Sequence, residues 1–104
     1  MLKQNQLIEL LDQLQADMQA LELWQQQPPS SLALQSEQPF AVDTLAPEQW
    51  LQWVFIGRMR NMIDAKQPLP SGFAIAPYFE QCWQQYPDYT PLLARLAVID
   101  EVCA

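Results

Sequence analysis

The stretch Pro47-Glu48-Gln49-Trp50-Leu51-Gln52-Trp53-Val54-Phe55-Ile56 decides the fold. Proline suits the first position of a helix, because the N–H it lacks would have no partner there. Glu48 follows, where a carboxylate meets the positive end of the helix dipole. From Trp50 to Ile56 every residue except Gln52 is apolar, so apolar side chains cover almost the whole circumference. A helix that is apolar all round is buried all round. The stretch therefore predicts a central helix with the others packed about it, and with Trp50 and Trp53 both buried. Gln52, the polar exception, then needs hydrogen-bonding partners. Gly57 in mid-helix costs about 1 kcal/mol relative to alanine and marks a place for a kink or a close backbone approach.

Upstream, Leu2 to Trp24 reads as a long helix. Leu7, Leu11, Leu14, Met18 and Leu21 form one stripe near the helical period. Gln25-Gln26-Gln27-Pro28-Pro29 ends it, since proline breaks the hydrogen-bond ladder. Pro28 to Ala46 reads as a long ordered loop between the first and second helices, with Leu32, Leu34, Phe40 and Val42 expected to pin it across them. Downstream, Gln67-Pro68-Leu69-Pro70-Ser71-Gly72 reads as a rigid turn. A third helix starts near Pro77 with Ile75, Phe79, Cys82 and Tyr86 inside. A fourth starts at Thr90-Pro91, with Thr90 as N-cap and Leu92, Leu96, Ile99 and Cys103 inside. No segment alternates with period two between hairpin turns, so no sheet is expected. The fold class is all-α: a single four-helix bundle-like domain over residues 1–104.

Composition narrows the function. Twelve acidic residues against five basic ones give a formal net charge of −7, and before Arg58 the only basic residue is Lys3. Phosphate binding depends on clustered cations, so neither nucleic acid nor an anionic membrane is an expected direct partner. The longest apolar runs fall far short of a membrane span. Lys3-Gln4-Asn5-Gln6 begins no apolar leader. A cytoplasmic protein with Cys82 and Cys103 reduced is the expectation. Histidine is absent and glycine occurs only at positions 57 and 72. His-based catalysis and glycine-rich phosphate loops are thereby excluded. Two cysteines without histidine do not complete a zinc site on their own, so no metal and no cofactor is expected.

One polar set stands beside the apolar helices and proline turns: Asp43, Gln52, Arg58, Gln67, Tyr78 and Glu80. Arg58 has Asp43, Asp64 and Glu80 as prospective ion-pair partners. The set reads in two ways. It locks the long loop to the bundle, or it forms a recognition surface with Trp and Tyr as anchors and Arg as the polar contact.

Several motifs in one order carry a resemblance. They are Gln38-Pro39-Phe40, Asp43-Thr44, Trp50-Leu51-Gln52-Trp53, Arg58-Met59, Gln67-Pro68-Leu69-Pro70, and Ile75-Ala76-Pro77-Tyr78 followed by Glu80. Together they resemble the YqcC-like family of small bacterial proteins, closely over residues 38–80 and more loosely over the terminal helices. Where that family often has proline after the apolar stretch of the second helix, this chain has Gly57. The resemblance implies an all-helical bundle and brings no catalytic residues. It also implies a neighbourhood, since members often stand beside a tRNA pseudouridine synthase. Such a synthase uses an aspartate in a much larger mixed α/β domain, which a strandless chain of 104 residues does not supply. The expectation is a non-enzymatic interaction or adaptor module working through a protein partner, a second copy of the chain included. The alternatives are an accessory to a tRNA-modifying enzyme and a small-molecule-binding helical domain.

Overall fold

The computed structural model describes residues 2–104. Its elements in order are α1 (Leu2–Ala20), α2 (Ser31–Leu34), α3 (Pro47–Gln49), a π-helical segment (Trp50–Ile56), α4 (Gly57–Asp64), α5 (Ala76–Cys82) and α6 (Thr90–Val102), with 3-10 turns at Pro39–Ala41 and Pro87–Tyr89. Among the described residues there is no strand, and the chain is all-α.

Four residues of the expected stripe on α1, Leu7, Leu11, Leu14 and Met18, are fully covered, whereas the fifth, Leu21, lies past the helix end and is only half-buried. The partner of α1 is α6, whose Leu92, Leu96 and Ile99, with Cys103 just beyond, are equally covered. An Arg95 fork fixes the register of the pair. Its Nε donates to Asp17 at 3.0 Å and its Nη1 to Gln13 at 2.8 Å. Arg60 ties α4 to the outer face of α1 in the same way, through Asp12 and Gln15.

The first helix ends earlier than Trp24. Glu22 takes a left-handed conformation (φ 61°), while its N–H and that of Leu23 return to the carbonyls of Gln19 and Met18. This double bond pattern closes a helix C-terminus. Lys66 (φ 58°) closes α4 likewise, with the N–H of Gln67 reaching the carbonyl of Met62.

Pro47 to Asp64 is continuous helix, but it is not buried all round. Leu51, Gln52, Phe55, Ile56 and Met59 face inward, while Trp50, Trp53 and Val54 are only half-buried. The expected burial of both tryptophans is thus corrected. An apolar circumference hides which face is inner, and only the assembled core selects it. Gly57 is neither a kink nor a close approach. Its backbone is ordinary helix (φ −58°, ψ −46°), and a Cβ there would meet nothing nearer than 3.9 Å. The irregularity lies just before it, where the N–H of Gly57 reaches five residues back to Gln52.

The third helix also departs from expectation. It ends at Cys82. Ile75, Phe79 and Trp83 go inward, whereas Cys82 is half-buried and Tyr86 is exposed. Tyr86 lies past the helix end and stacks on Tyr89 instead (5.2 Å between ring centroids). The carboxylate of Asp100, on α6, accepts the N–H groups of Ile75 and Ala76 at 3.0 and 2.8 Å. It serves the start of α5 as an N-cap borrowed from another helix. Thr90 is not an N-cap: its hydroxyl donates to the Pro87 carbonyl and the cap position is Tyr89.

Candidate interaction sites

The connection from Pro28 to Ala46 is ordered by its own short elements. Ser30 caps α2 by accepting the N–H of Ala33 at 3.1 Å. Thr44 donates its hydroxyl to the Ala33 carbonyl at 2.7 Å, and Ser36 donates to the Asp43 carboxylate. Pinning falls to Phe40, Ala41 and Leu45. The last two are buried, and Phe40 stacks on Tyr78 at 4.0 Å while tilting against Trp50 at 4.7 Å. Leu32, Leu34 and Val42 were expected to share this task and do not. Leu32 is 77% exposed, Val42 57% and Leu34 39%. The four-residue α2 buries none of its side chains and Val42 follows the 3-10 turn, so all three stand outward on a segment that also carries the exposed acids Glu37 and Asp43.

Phe40 and Ala41 both have positive φ, 56° and 49°. Residues with a Cβ avoid this region at a cost of about 1–3 kcal/mol each. The aromatic stack offsets that cost by holding the Phe40 ring against Tyr78, Trp50 and Phe79.

The six residues read from the sequence do not form one network. Gln52 is 5% exposed and fully satisfied. Its Nε2 donates to the Gln25 carbonyl and its Oε1 accepts the Gln25 N–H, both at 2.8 Å. Trp53 adds a bond from its indole N–H to the Gln25 side chain at 2.9 Å. Gln52 is therefore a lock, closing the exit of α1 onto the central helix. Asp43 is a smaller lock within the connection. Gln67 and Glu80 are exposed and make no side-chain hydrogen bond among the described residues. Arg58 pairs with none of Asp43, Asp64 and Glu80, because the described ion pairs belong to Arg60 and Arg95.

Tyr78 is half-buried under Phe40. Burial first, then a hydrogen bond with the Cys82 thiol, pushes its phenol up to about 12. In an alkaline titration followed by phenolate absorbance, one of the three tyrosines is expected to ionise only near pH 12, and Tyr78→Phe to remove that late step. The sign for stability follows. The unfolded phenol loses its proton near 10, so the folded state holds more protons between pH 10 and 12. Its contribution is complete below pH 10 and lost as pH rises through 12.

Arg58 opens instead on a groove of about 510 Å³. Phe40 and Pro39 form one wall, and Trp50, Val54 and Phe55 of the π-helical segment a second. Met59 and Met62 of α4 continue that wall, and the loop through Pro70, Phe73, Ala74 and Ile75 closes the other side. Arg58 is the one ionisable side chain in this lining. Among the described residues the lining holds no carboxylate, thiol or aliphatic hydroxyl. Sequence reasoning found Arg58 and missed the groove. Its walls come from three separate segments, and no local pattern announces them.

Comparison with known proteins places the chain. A family model described as tRNA pseudouridine synthase C matches residues 6–102. Protein YqcC of Escherichia coli is 40% identical over 101 residues, covering 89% of this chain and 93% of the relative. The chain belongs to the YqcC-like family. The solution NMR structure of YqcC superposes on all of this chain and 90% of its own, with a TM-score of 0.88 and 37% identity. An uncharacterized protein of Haemophilus influenzae is 43% identical over 98 residues, 94% of this chain and 92% of the relative. A different kind of relative is tRNA pseudouridine synthase C of Pectobacterium carotovorum. It is 33% identical over 84 residues, which are 81% of this chain but 22% of that protein. More than three-quarters of that YqcC-like relative therefore lies outside the match.

Proposed function

We propose that this chain is a non-enzymatic adaptor that docks through its α1–α3 connection onto a basic protein surface. The carrying observation is the outward display of Leu32, Leu34 and Val42 on a segment that also carries the exposed acids Glu37 and Asp43 and is ordered by the Ser36–Asp43 and Thr44–Ala33 hydrogen bonds. Rigid exposed apolar side chains among acids complement a surface that mixes apolar and cationic groups. The sequence from residue 4 to residue 57 contains no cation to oppose such a partner.

The partner class we favour is a tRNA-modifying enzyme. Proteins that bind tRNA carry basic surface, and a net charge of −7 complements it. A relative named tRNA pseudouridine synthase C contains a matching segment within one longer polypeptide, which supports association of the two as separate chains. The test is to mix the purified chain with tRNA pseudouridine synthase C of the same organism and follow complex formation by light scattering and calorimetry. A 1:1 complex that weakens with salt is expected, and Leu32→Asp with Val42→Asp should weaken it at least about tenfold. Absence of a complex, an undiminished affinity of the double variant, or self-association of the chain through these residues would overturn the proposal.

A further inference from the structure

We infer that the groove beside Arg58 is a binding site for an apolar monocarboxylate, a molecule with a hydrocarbon or aryl body and one carboxylate head. This site shares Pro39 and Phe40 with the docking connection but uses none of its outward side chains Leu32, Leu34 and Val42. Three observations converge on the groove. The first is its size, about 510 Å³, within the range of roughly 300–1,000 Å³ that holds small organic ligands. The second is its lining. Phe40, Phe55, Phe73, Met59 and Met62 offer carbon and sulfur surface, and methionine adapts readily to an irregular apolar body. The third is where the backbone departs from regular geometry. The left-handed Phe40 and the π-helical segment both line this groove, and both kinds of irregularity concentrate at functional sites.

Charge selects the head group. Acids outnumber bases twelve to five, and Arg60 and Arg95 are each engaged by a carboxylate. Arg58 stays outside these pairs and lines a groove with no carboxylate of its own. A planar guanidinium matches a carboxylate through two parallel hydrogen bonds. A single guanidinium suits a monoanion. A phosphate ester, more strongly hydrated and usually held by several donors, finds no further cation in the lining. A cationic amphiphile would meet Arg58 head-on. The apolar body lies against the aromatic walls and the carboxylate at the mouth.

The test uses the isotope-labelled full chain with three probes of one chain length: decanoate, decanol and decyltrimethylammonium. Decanoate is expected to bind at least tenfold more tightly than decanol, with the ammonium weakest, and to shift amides within residues 54–62 and 73–75. Arg58→Gln should erase the preference for the acid while leaving the helical circular dichroism spectrum unchanged. Arg60→Gln, whose parent side chain faces Asp12, should keep the preference. The docking variant Leu32→Asp should bind decanoate normally, so this proposal and the adaptor reading fail separately. Equal binding of acid and alcohol, amide shifts confined to other parts of the chain, or an Arg58→Gln variant with the wild-type preference would overturn it. So would groove shifts that the synthase produces and decanoate does not, since the groove would then be a protein contact.

Discussion

Phe79→Ala is expected to destabilise the protein by about 3–5 kcal/mol, the usual cost of removing a buried phenylalanine. Phe79 is fully covered. Its ring lies 4.9 Å from that of Trp83, 5.1 Å from Tyr78, 6.0 Å from Trp50 and 6.2 Å from Phe40. Those four rings come from α5, the central helix and the connection, so the cavity would open where three segments meet. The strained Phe40 turn would lose part of the packing that holds it. A domain of this size has a total stability of about 5–15 kcal/mol, so a large drop in the urea midpoint, or loss of folding at ordinary temperature, is the expected result. Phe79→Leu should cost less, because it keeps most of the volume and forfeits mainly the ring geometry, worth about 0.5–1.5 kcal/mol per pair. An unchanged midpoint for Phe79→Ala would show that this cluster does not hold the connection.

The two helices that pack together were the most legible. On α1 and α6 large aliphatic residues recur at helical spacing, and that spacing identifies Leu7, Leu11, Leu14, Leu92, Leu96 and Ile99 as inner residues. Where the pattern is saturated, legibility is lost. Between Trp50 and Ile56 almost every side chain is apolar, and nothing local shows that Gln52 goes inside while Trp53 lies half outside. On α5 the error was one of length. Carrying the helical period past Cys82 put Tyr86 in the core, when the chain had already turned and Trp83 filled that place.

The connection was harder for a different reason. Leu32 and Val42 look like core residues by type, and exposure of an aliphatic side chain is decided by whether its segment is long enough to fold over it. Phe40 looked like an anchor and is one, but its left-handed backbone has no signal in the sequence, since aromatic residues seldom adopt it. The groove depends on that conformation and on a loop more than thirty residues later in the chain. Only the assembled fold brings them together.

Gln52→Leu is the second large effect. The substitution roughly preserves volume and would suit an apolar core, yet it removes both partners of the Gln25 backbone. A buried polar group left unsatisfied costs about 1–3 kcal/mol. Gln25 is half-buried, so water recovers part of the loss, and a net cost of about 2–3 kcal/mol is expected for the two groups together. The consequence should be local before it is global. Gln25 follows the turn that closes α1, and Gln52 holds that segment against the central helix. Amide hydrogen exchange at Gln25 should therefore accelerate strongly in Gln52→Leu, while Leu96 in the centre of α6 keeps its protection relative to the lowered global stability. Trp53→Phe removes only the indole bond to the Gln25 side chain and should cost about 0.5–1.5 kcal/mol, with the Gln25 amide still protected. If Gln25 exchanges as slowly in Gln52→Leu as in the parent, the carboxamide is not what holds the segment after α1 to the central helix, and its burial beside Leu51 and Phe55 would need another cause.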